Sequence, residues 1–331
     1  MYSDTALPVE IAGLGAYLPQ RVLSNADLES MVDTSNQWIV QRTGIRERRI
    51  AANDQATSDL AIGAARQALA AASVGAAELD AVLVATCTPD YVFPATACLV
   101  QAALGASHAM AFDLEAACSG FLFGFACGAS MLAAGIARNI LVVGTECLSR
   151  ITDYTDRTTC ILFGDAAGAA LLRPAANGGQ LLYCHMGADG SQPDMLMVPA
   201  GGSRLPACAA SVAQRAHYMR LQGREVFKQA VGKLAKMLQA VPERTGIQLD
   251  QIGLVIPHQS NVRIIRSAFE RVGMDLSKAY MNIDRVGNTS AASIPLAMAQ
   301  AEEQGMLRRG ELVLLLAFGG GLTWGSALIR Y

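Results

Sequence analysis

The chain has 331 residues and is poor in charge: Lys, Arg, Asp and Glu make up only 16% of it, and the net charge is −2. That balance excludes the basic surface by which proteins hold nucleic acid, and no basic run with interleaved aromatics occurs. No apolar run approaches the ~20 residues of a membrane-spanning helix, because glycine, serine or charge interrupts each candidate, so no membrane association is expected. The opening stretch MYSDTALPVEIAGLGAYLP lacks a basic segment followed by a long apolar one. No signal peptide is read there, and a cytoplasmic protein is expected. There is no CxxC among the eight cysteines and no HxxxH among the four histidines, so no metal site is expected. Without a secretion signal the cysteines are expected to be reduced and mostly buried rather than paired. GLGAYL at 13–18 lacks the third glycine of a dinucleotide fingerprint; no GxSxG elbow and no Walker lysine occur.

What is abundant is apolar: 52% of residues are hydrophobic. This length and composition suit two fused modules or one large α/β domain with extensive buried surface. LDAVLVAT (79–86), ARNILVVGTE (137–146) and RGELVLLLAFGGG (309–321) read as buried strands. SDLAIGAARQALAAASV (58–74) reads as a helix with Ser58 or Asp59 as its cap. Residues 186–220 have no clear period and read as an inserted loop or cap.

An internal repeat runs through this alternation. Leu83 and Leu254, Asp113 and Asp284, and Arg138 and Arg309 head similar segments, each pair offset by 171 positions. Two similar α/β halves, 1–173 and 174–331, are therefore expected to pack as one body about a pseudo-twofold axis. Cys118 and the Asn288-Thr289 pair would then occupy equivalent strand-to-helix turns facing a shared site.

Four places carry candidate chemistry. Cys118, in DLEAACSGFLFG, precedes an apolar helix whose N-terminus would favour the thiolate; it also reads as a small buried filler. His258, in VIPHQSN, follows a buried strand, where α/β sites assemble; a capping histidine is the plainer alternative. Asn288, in DRVGNTSAASIP, reads as an N-cap or as an amide donor to an oxyanion. The glycines of AFGGGLTWG read as a bulge, or as backbone donors of an oxyanion hole.

Together with TSNQWIVQRTGIRERR (34–49), DRTTCILFGDAAGAA (156–170), GADGS (187–191), GREVFKQAV (223–231), PHQSNVRII (257–265) and FGGGLTWGSALIR (318–330), these stretches resemble the β-ketoacyl-ACP synthase III family. That family is the initiating branch of the thiolase-like condensing enzymes, and the resemblance covers nearly the whole chain. It implies a thiolase-like fold, two α/β halves layered α/β/α/β/α, with the nucleophile in the first half and His and Asn in the second. It implies that Cys118 is acylated from an acyl-CoA, and that His258 and Asn288 promote decarboxylation of malonyl-ACP and stabilise the enolate. Gly320 resembles the glycine whose N–H completes the oxyanion hole with that of Cys118. Trp38 and Arg157 resemble the residues that sandwich the adenine of coenzyme A, Arg42 one that meets its phosphates, and Gly223 and Asn261 residues of the pantetheine tunnel. Phe93 resembles a residue reaching into the partner's acyl pocket in a homodimer, where it favours a short primer. Coenzyme A thioesters enter as substrates, and no cofactor is implied.

Arg263 and Arg266 lie three apart on one helix face and, with Lys228, form a candidate patch for an acidic carrier protein or an ordinary solvated face. The chain departs from the family most over 200–222, near the expected acyl pocket, and has Ala166 where glycine is usual. Two other readings stand beside the first: a related condensing or acyl-transfer enzyme of secondary metabolism with the same Cys/His/Asn set, and a non-catalytic scaffold, against which the intact set argues.

Overall fold

The computed structural model describes residues 6–175 and 178–331. Two sheets form its body. The first contains β1 (Val9–Tyr17), β4 (Ala81–Ala85), β5 (Met110–Leu114), β6 (Ile140–Glu146) and β7 (Ala166–Pro174) in the order β1-β7-β6-β4-β5. The second contains β8 (Gln180–Ala188), β11 (Leu254–Pro257), β12 (Leu312–Gly319) and β13 (Thr323–Arg330) in the order β8-β13-β12-β11. A parallel bridge from Val255 to Ala279 stands where the fifth strand would be. In both sheets the central pairs are the same: β4 runs parallel to β6 as β11 does to β12, and β6 and β12 pair antiparallel with β7 and β13.

The buried runs explain this. Every residue of β4 and β6 is buried, and all but the first of β12, so these strands need cover on both faces. Helices α5 (Gly120–Ala133) and α10 (Ser293–Glu303) fill the space between the sheets. α5 is apolar nearly all round, as a helix between two sheets must be; Phe121, Leu122 and Phe125 on it are buried, each stabilising the fold by ~1.5–3 kcal/mol. The outer face of the first sheet is covered by α3 (Thr57–Ala72) and α4 (Thr96–Leu104), and that of the second by α7 (Gly223–Thr245) and α8 (Val262–Val272). The result is the five-layer α/β/α/β/α body.

Three smaller pieces border the site. The N-terminal excursion comprises the hairpin of β2 (Arg21–Ser24) with β3 (Glu47–Ile50), α1 (Asn25–Glu29) and α2 (Asn36–Thr43). The cap over 189–222 holds the ribbon of β9 (Leu196–Met197) with β10 (Arg220–Leu221) and the short α6 (Ala209–Ala213). It is tied down by an Arg215–Asp153 ion pair and by the Met219 N–H donating to Ile151 O at 2.8 Å. Finally, α9 (Ile283–Val286) leads into the turn at Asn288.

Three expectations need correction. Helix α3 begins at Thr57, and Asp59 rather than Ser58 serves its start, accepting the Ala56 N–H at 2.8 Å; Ser58 Oγ donates to Asp90 instead. All eight cysteines are free thiols, but only Cys118, Cys147 and Cys160 are buried, while Cys98 and Cys208 are exposed. The reason is local: Cys98 lies on α4 beside the edge strand β5, and Cys208 opens α6 in the cap. The third correction concerns the repeat. The turns that match are Ala117–Ser119 and Ser290–Ala292, each introduced by a residue with positive φ, Ala117 at 46° and Ser290 at 47°. Asn288 therefore precedes the equivalent turn rather than standing opposite Cys118, because the offset drifts from 171 at the strands to 173 at the turns.

Candidate active site

The two matching turns touch at the middle of the molecule. Cys118 sits on the first, buried, at the foot of α5. The β12–β13 hairpin closes against it. The Thr323 hydroxyl donates to Ala116 O at 2.8 Å, fixing the hairpin to the cysteine turn. Gly319 approaches so closely that a Cβ there would lie 2.7 Å from the Cys118 nitrogen, so only glycine fits. The next residue, Gly320, turns its N–H toward the Cys118 sulfur, as does the N–H of Cys118 itself. Two backbone donors thus converge beside the sulfur, the arrangement that stabilises an oxyanion.

Burial acts on the thiol against the pull expected from its helix end. Burial pushes Cys118 up to about 12, against the opposing pull of the Ser290 hydroxyl and of the two backbone N–H groups. Desolvation wins because the sulfur lies beneath the surface, while the helix dipole acts only through its first turn.

His258 follows β11, its N–H donating to Leu316 O at 2.7 Å. The ring is buried, with Nδ1 2.6 Å from Ser293 Oγ on α10. Ser293 Oγ also receives the N–H of Gln259 at 3.3 Å, and we assign its own hydrogen to Nδ1. The proton of the neutral ring is then on Nε2, which is buried and has no partner. Burial drives His258 down to about 3, so it is neutral at physiological pH. It faces the site as a donor, not as a base.

Asn288 is oriented with equal definition. Its Oδ1 accepts the Ser290 N–H at 2.9 Å, which leaves Nδ2 free to donate. Its backbone is clamped on both sides: the Asn288 N–H donates to Leu162 O at 2.8 Å and its carbonyl accepts from Gly164 N–H at 3.0 Å. That segment is held in turn by Arg48, fully buried, which donates to Ile161 O, Leu23 O and Asn25 Oδ1 at 2.8, 3.1 and 3.0 Å.

A cavity of about 520 Å³ joins these groups to the surface. It is lined by Cys118, His258, Asn288 and Gly320, and further out by Arg42, Gly223, Asn261 and Arg263. Asn261 caps α8 through Oδ1, and its Nδ2 donates to Arg42 O at 3.0 Å, which joins α8 to α2. Arg42 and Arg157 both lie over the Trp38 ring, 5.4 and 5.3 Å from its centroid, and Arg157 donates to Asp33 O at 2.8 Å. A second cavity, about 440 Å³, opens on the other side of Cys118 between the first half and the cap, lined by Cys87, Leu148, Ile151, Val198 and Met219 among others. Lys228 and Arg266 are exposed on α7 and α8, with Arg263 over the Phe227 ring at 5.5 Å. Phe93 lines neither cavity of its own chain; it is 84% exposed beside exposed Tyr91 and Val92.

Sequence reasoning missed Ser290 and Ser293, although both stand in the GNTSAAS stretch, because serines before a helix read as caps. It also missed Glu146 at the end of β6. Among the described residues no group of three His, Cys, Asp or Glu is placed to hold a metal, and no helix is long and apolar enough to cross a membrane.

A buried thiol beside an oxyanion hole, faced by two neutral donors and served by two cavities, defines a condensing acyltransferase of the thiolase-like fold. Comparison with known proteins carries this further. Family models for 3-oxoacyl-[acyl-carrier-protein (ACP)] synthase III match residues 112–190, and for its C terminal 243–331. The chain is 51% identical to the beta-ketoacyl-[acyl-carrier-protein] synthase III of Roseiflexus castenholzii, over 97% of each protein. The crystal structure of 3-oxoacyl-[acyl-carrier-protein] synthase III from Aquifex aeolicus superposes with a TM-score of 0.90 at 44% identity, covering 98% of this chain and 100% of that one. The priming β-ketosynthase of the R1128 polyketide pathway superposes at 0.89 with 32% identity, covering 99% and 97%. The chain belongs to the β-ketoacyl-[acyl-carrier-protein] synthase III family, the condensing acyltransferases of fatty-acid synthesis.

Proposed function

We propose that this chain transfers an acyl group from an acyl-CoA to Cys118 and condenses it with malonyl-ACP, giving 3-oxoacyl-ACP and carbon dioxide. The observation that carries the reading is the position of Cys118 at the junction of two cavities, with His258 and Asn288 opening on one of them. The thioester arm enters along the first cavity past Gly223 and Asn261, with Arg42, Trp38 and Arg157 at its mouth for the nucleotide end of coenzyme A. The acyl chain occupies the second. The hole between the N–H groups of Cys118 and Gly320 takes the negative oxygen of the tetrahedral intermediate. Nε2–H of His258 and Nδ2–H of Asn288 donate to the enolate oxygen that forms as carbon dioxide leaves. Loss of carbon dioxide generates the carbanion, so no strong base is needed there, and a neutral His258 suits the task.

Lys228, Arg263 and Arg266 form the carrier-protein patch, and the exposed Phe93 enters the acyl pocket of the partner in a homodimer. The chain divides at 173/174 into a nucleophile-bearing half and a half bearing His and Asn, supported by the repeated strand order of the two sheets. The enzyme works in the cytoplasm with coenzyme A thioesters as substrates and no resident cofactor. The test is incubation with acetyl-CoA and malonyl-ACP, with intact-mass detection of an acyl adduct absent from Cys118→Ala and of 3-oxoacyl-ACP. A chain that forms no 3-oxoacyl-ACP from any primer is not this enzyme. A role in secondary metabolism is the second reading, favoured by the likeness to the R1128 priming synthase. A primer panel that rejects acetyl-CoA but accepts another acyl-CoA decides for it.

A further inference from the structure

The second cavity is larger than the smallest primer needs. Acetyl places a single methyl group beyond the thioester carbonyl, whereas this cavity measures about 440 Å³. An apolar cavity of about 150 Å³ already holds a whole benzene molecule. Even with one such share taken by the Phe93 ring of a second copy, roughly two remain, room for on the order of ten carbons.

The walls of this space are largely apolar. Phe163 and Leu196 line both cavities and so mark their junction at Cys118. Leu148, Ile151, Val198 and Met219 line the second alone. All six belong to one apolar cluster, in which Leu148, Phe163 and Met219 are buried and the others half-buried. Two polar groups on the wall are already engaged. The Thr323 hydroxyl donates to Ala116 O at 2.8 Å, and Cys87 gives its N–H and its thiol to the Glu146 carboxylate, each at 3.2 Å. Glu146 is buried at the end of β6 and accepts the Thr88 hydroxyl at 2.7 Å, which fixes Cys87 in the wall. Apolar side chains around such a space favour an apolar occupant.

The cap closes the cavity, and Met219 is its pinned point. The Met219 N–H donates to Ile151 O at 2.8 Å, so two lining residues are joined directly across the seam between the cap and the first half. Before Met219, Arg215 takes a positive φ of 55° and pairs with Asp153, whose carboxylate also accepts the Thr155 N–H and hydroxyl at 2.8 and 2.7 Å. After it, Arg220 and Leu221 pair with Met197 and Leu196. The seam is thus held on both sides of Met219, and the cavity is preformed. Met219 also lies within 200–222, where the chain departs most from its family, so the short primer implied by the resemblance does not carry over to this wall.

We propose that the preferred primer of this chain is a medium-chain acyl group of about eight to ten carbons, and that Met219 sets that length. The inference rests on the second cavity receiving the acyl chain, and acetyl-CoA remains a slow primer. Moving one methylene from water into an apolar pocket is worth about fourfold, the equivalent of ~0.8 kcal/mol.

The test measures kcat/KM for acylation of Cys118 by rapid-quench intact mass spectrometry, with acyl-CoA primers from acetyl to dodecanoyl. It uses the full-length wild type, Met219→Trp and Met219→Ala. Ratios between primers are taken within each protein, so a lower folded fraction in a variant cancels. In the wild type octanoyl-CoA should exceed acetyl-CoA by at least about tenfold, a modest floor for that many methylenes. Met219→Trp should cut this ratio at least about tenfold, and Met219→Ala should move the optimum up by about three carbons, the heavy atoms it removes. Ratios unchanged in both variants overturn the role of Met219. A wild-type rate that is flat or falls from acetyl upward overturns the medium-chain preference. Cys118→Ala reads the pocket without the nucleophile. Thermal protection of that variant by octanoate but not acetate, lost on adding Met219→Trp, supports the pocket even where no primer acylates the sulfur, a result that overturns transfer to Cys118 instead. Neither protection nor adduct overturns both.

Discussion

Gly319→Ala isolates the fit between the β12–β13 hairpin and the nucleophile turn. The added Cβ would stand 2.7 Å from the Cys118 nitrogen and 3.1 Å from that of Ser119, both backbone atoms that cannot swing aside. The first distance is roughly 0.8 Å inside the ~3.5 Å at which nonbonded heavy atoms pack best. The strain must move either the cysteine turn or the strand end, and both carry an oxyanion donor. A shift of nearly 1 Å in a reacting group costs on the order of 100-fold, and loss of one oxyanion donor about 100- to 1,000-fold. Acylation of Cys118 should therefore fall about 100-fold, while overpacking lowers stability by about 1–3 kcal/mol. The assay is the rate of adduct formation from acetyl-CoA, with urea unfolding beside it. Gly253→Ala is the control, since a Cβ there meets nothing nearer than 3.6 Å. A folded Gly319→Ala protein that acylates within threefold of the wild type would refute the reasoning.

Three further outcomes are expected. His258 is held down to about 3 in the folded chain but titrates near 6.5 when unfolded, so the unfolded chain binds the extra proton between those values. Stability therefore falls as pH drops from about 6.5 toward 3, by several kcal/mol on the order of magnitude; urea midpoints from pH 7 to 4 should drop more in the wild type than in His258→Gln, and equal drops would contradict it. For the same reason malonyl decarboxylation should show no acid limb near pH 6–7. Ser293→Ala removes the hydroxyl that sets the His258 tautomer, so ¹⁵N shifts of the ring should show hydrogen moving onto Nδ1 and decarboxylation should slow about tenfold or more, with recovery in Ser293→Thr; unchanged shifts would sink the argument. Arg48→Met leaves the carbonyls of Leu23 and Ile161 unsatisfied and should cost about 2–4 kcal/mol by denaturant unfolding, with a further loss of decarboxylation as the clamp on Asn288 loosens.

The parts of the site legible in the sequence were those with a strong local setting. His258 ends a strand, Asn288 follows a glycine turn, and Gly320 lies in a run of three; the buried runs and their repetition conveyed the two sheets. Illegible were the parts that depend on packing between the halves. Glu146 looks like any acid at a strand end until Thr86, Thr88 and Cys87 are folded around it. At Cys118 the pull of the helix end was legible and the strength of the opposing burial was not, because the sequence displays the helix and not the depth of burial. The placement of Asn288 two residues before its matching turn also needed the structure, since a drifting offset leaves no local mark.

The hairpin that supplies Gly320 belongs to the second half of the chain, and Cys118 to the first. Until the hairpin docks, the cysteine lacks the Gly320 N–H beside its sulfur. A chain whose halves have not come together thus holds the thiol without a complete oxyanion hole. Acylation is thereby coupled to the packing of the two halves, since each supplies one of the two backbone donors.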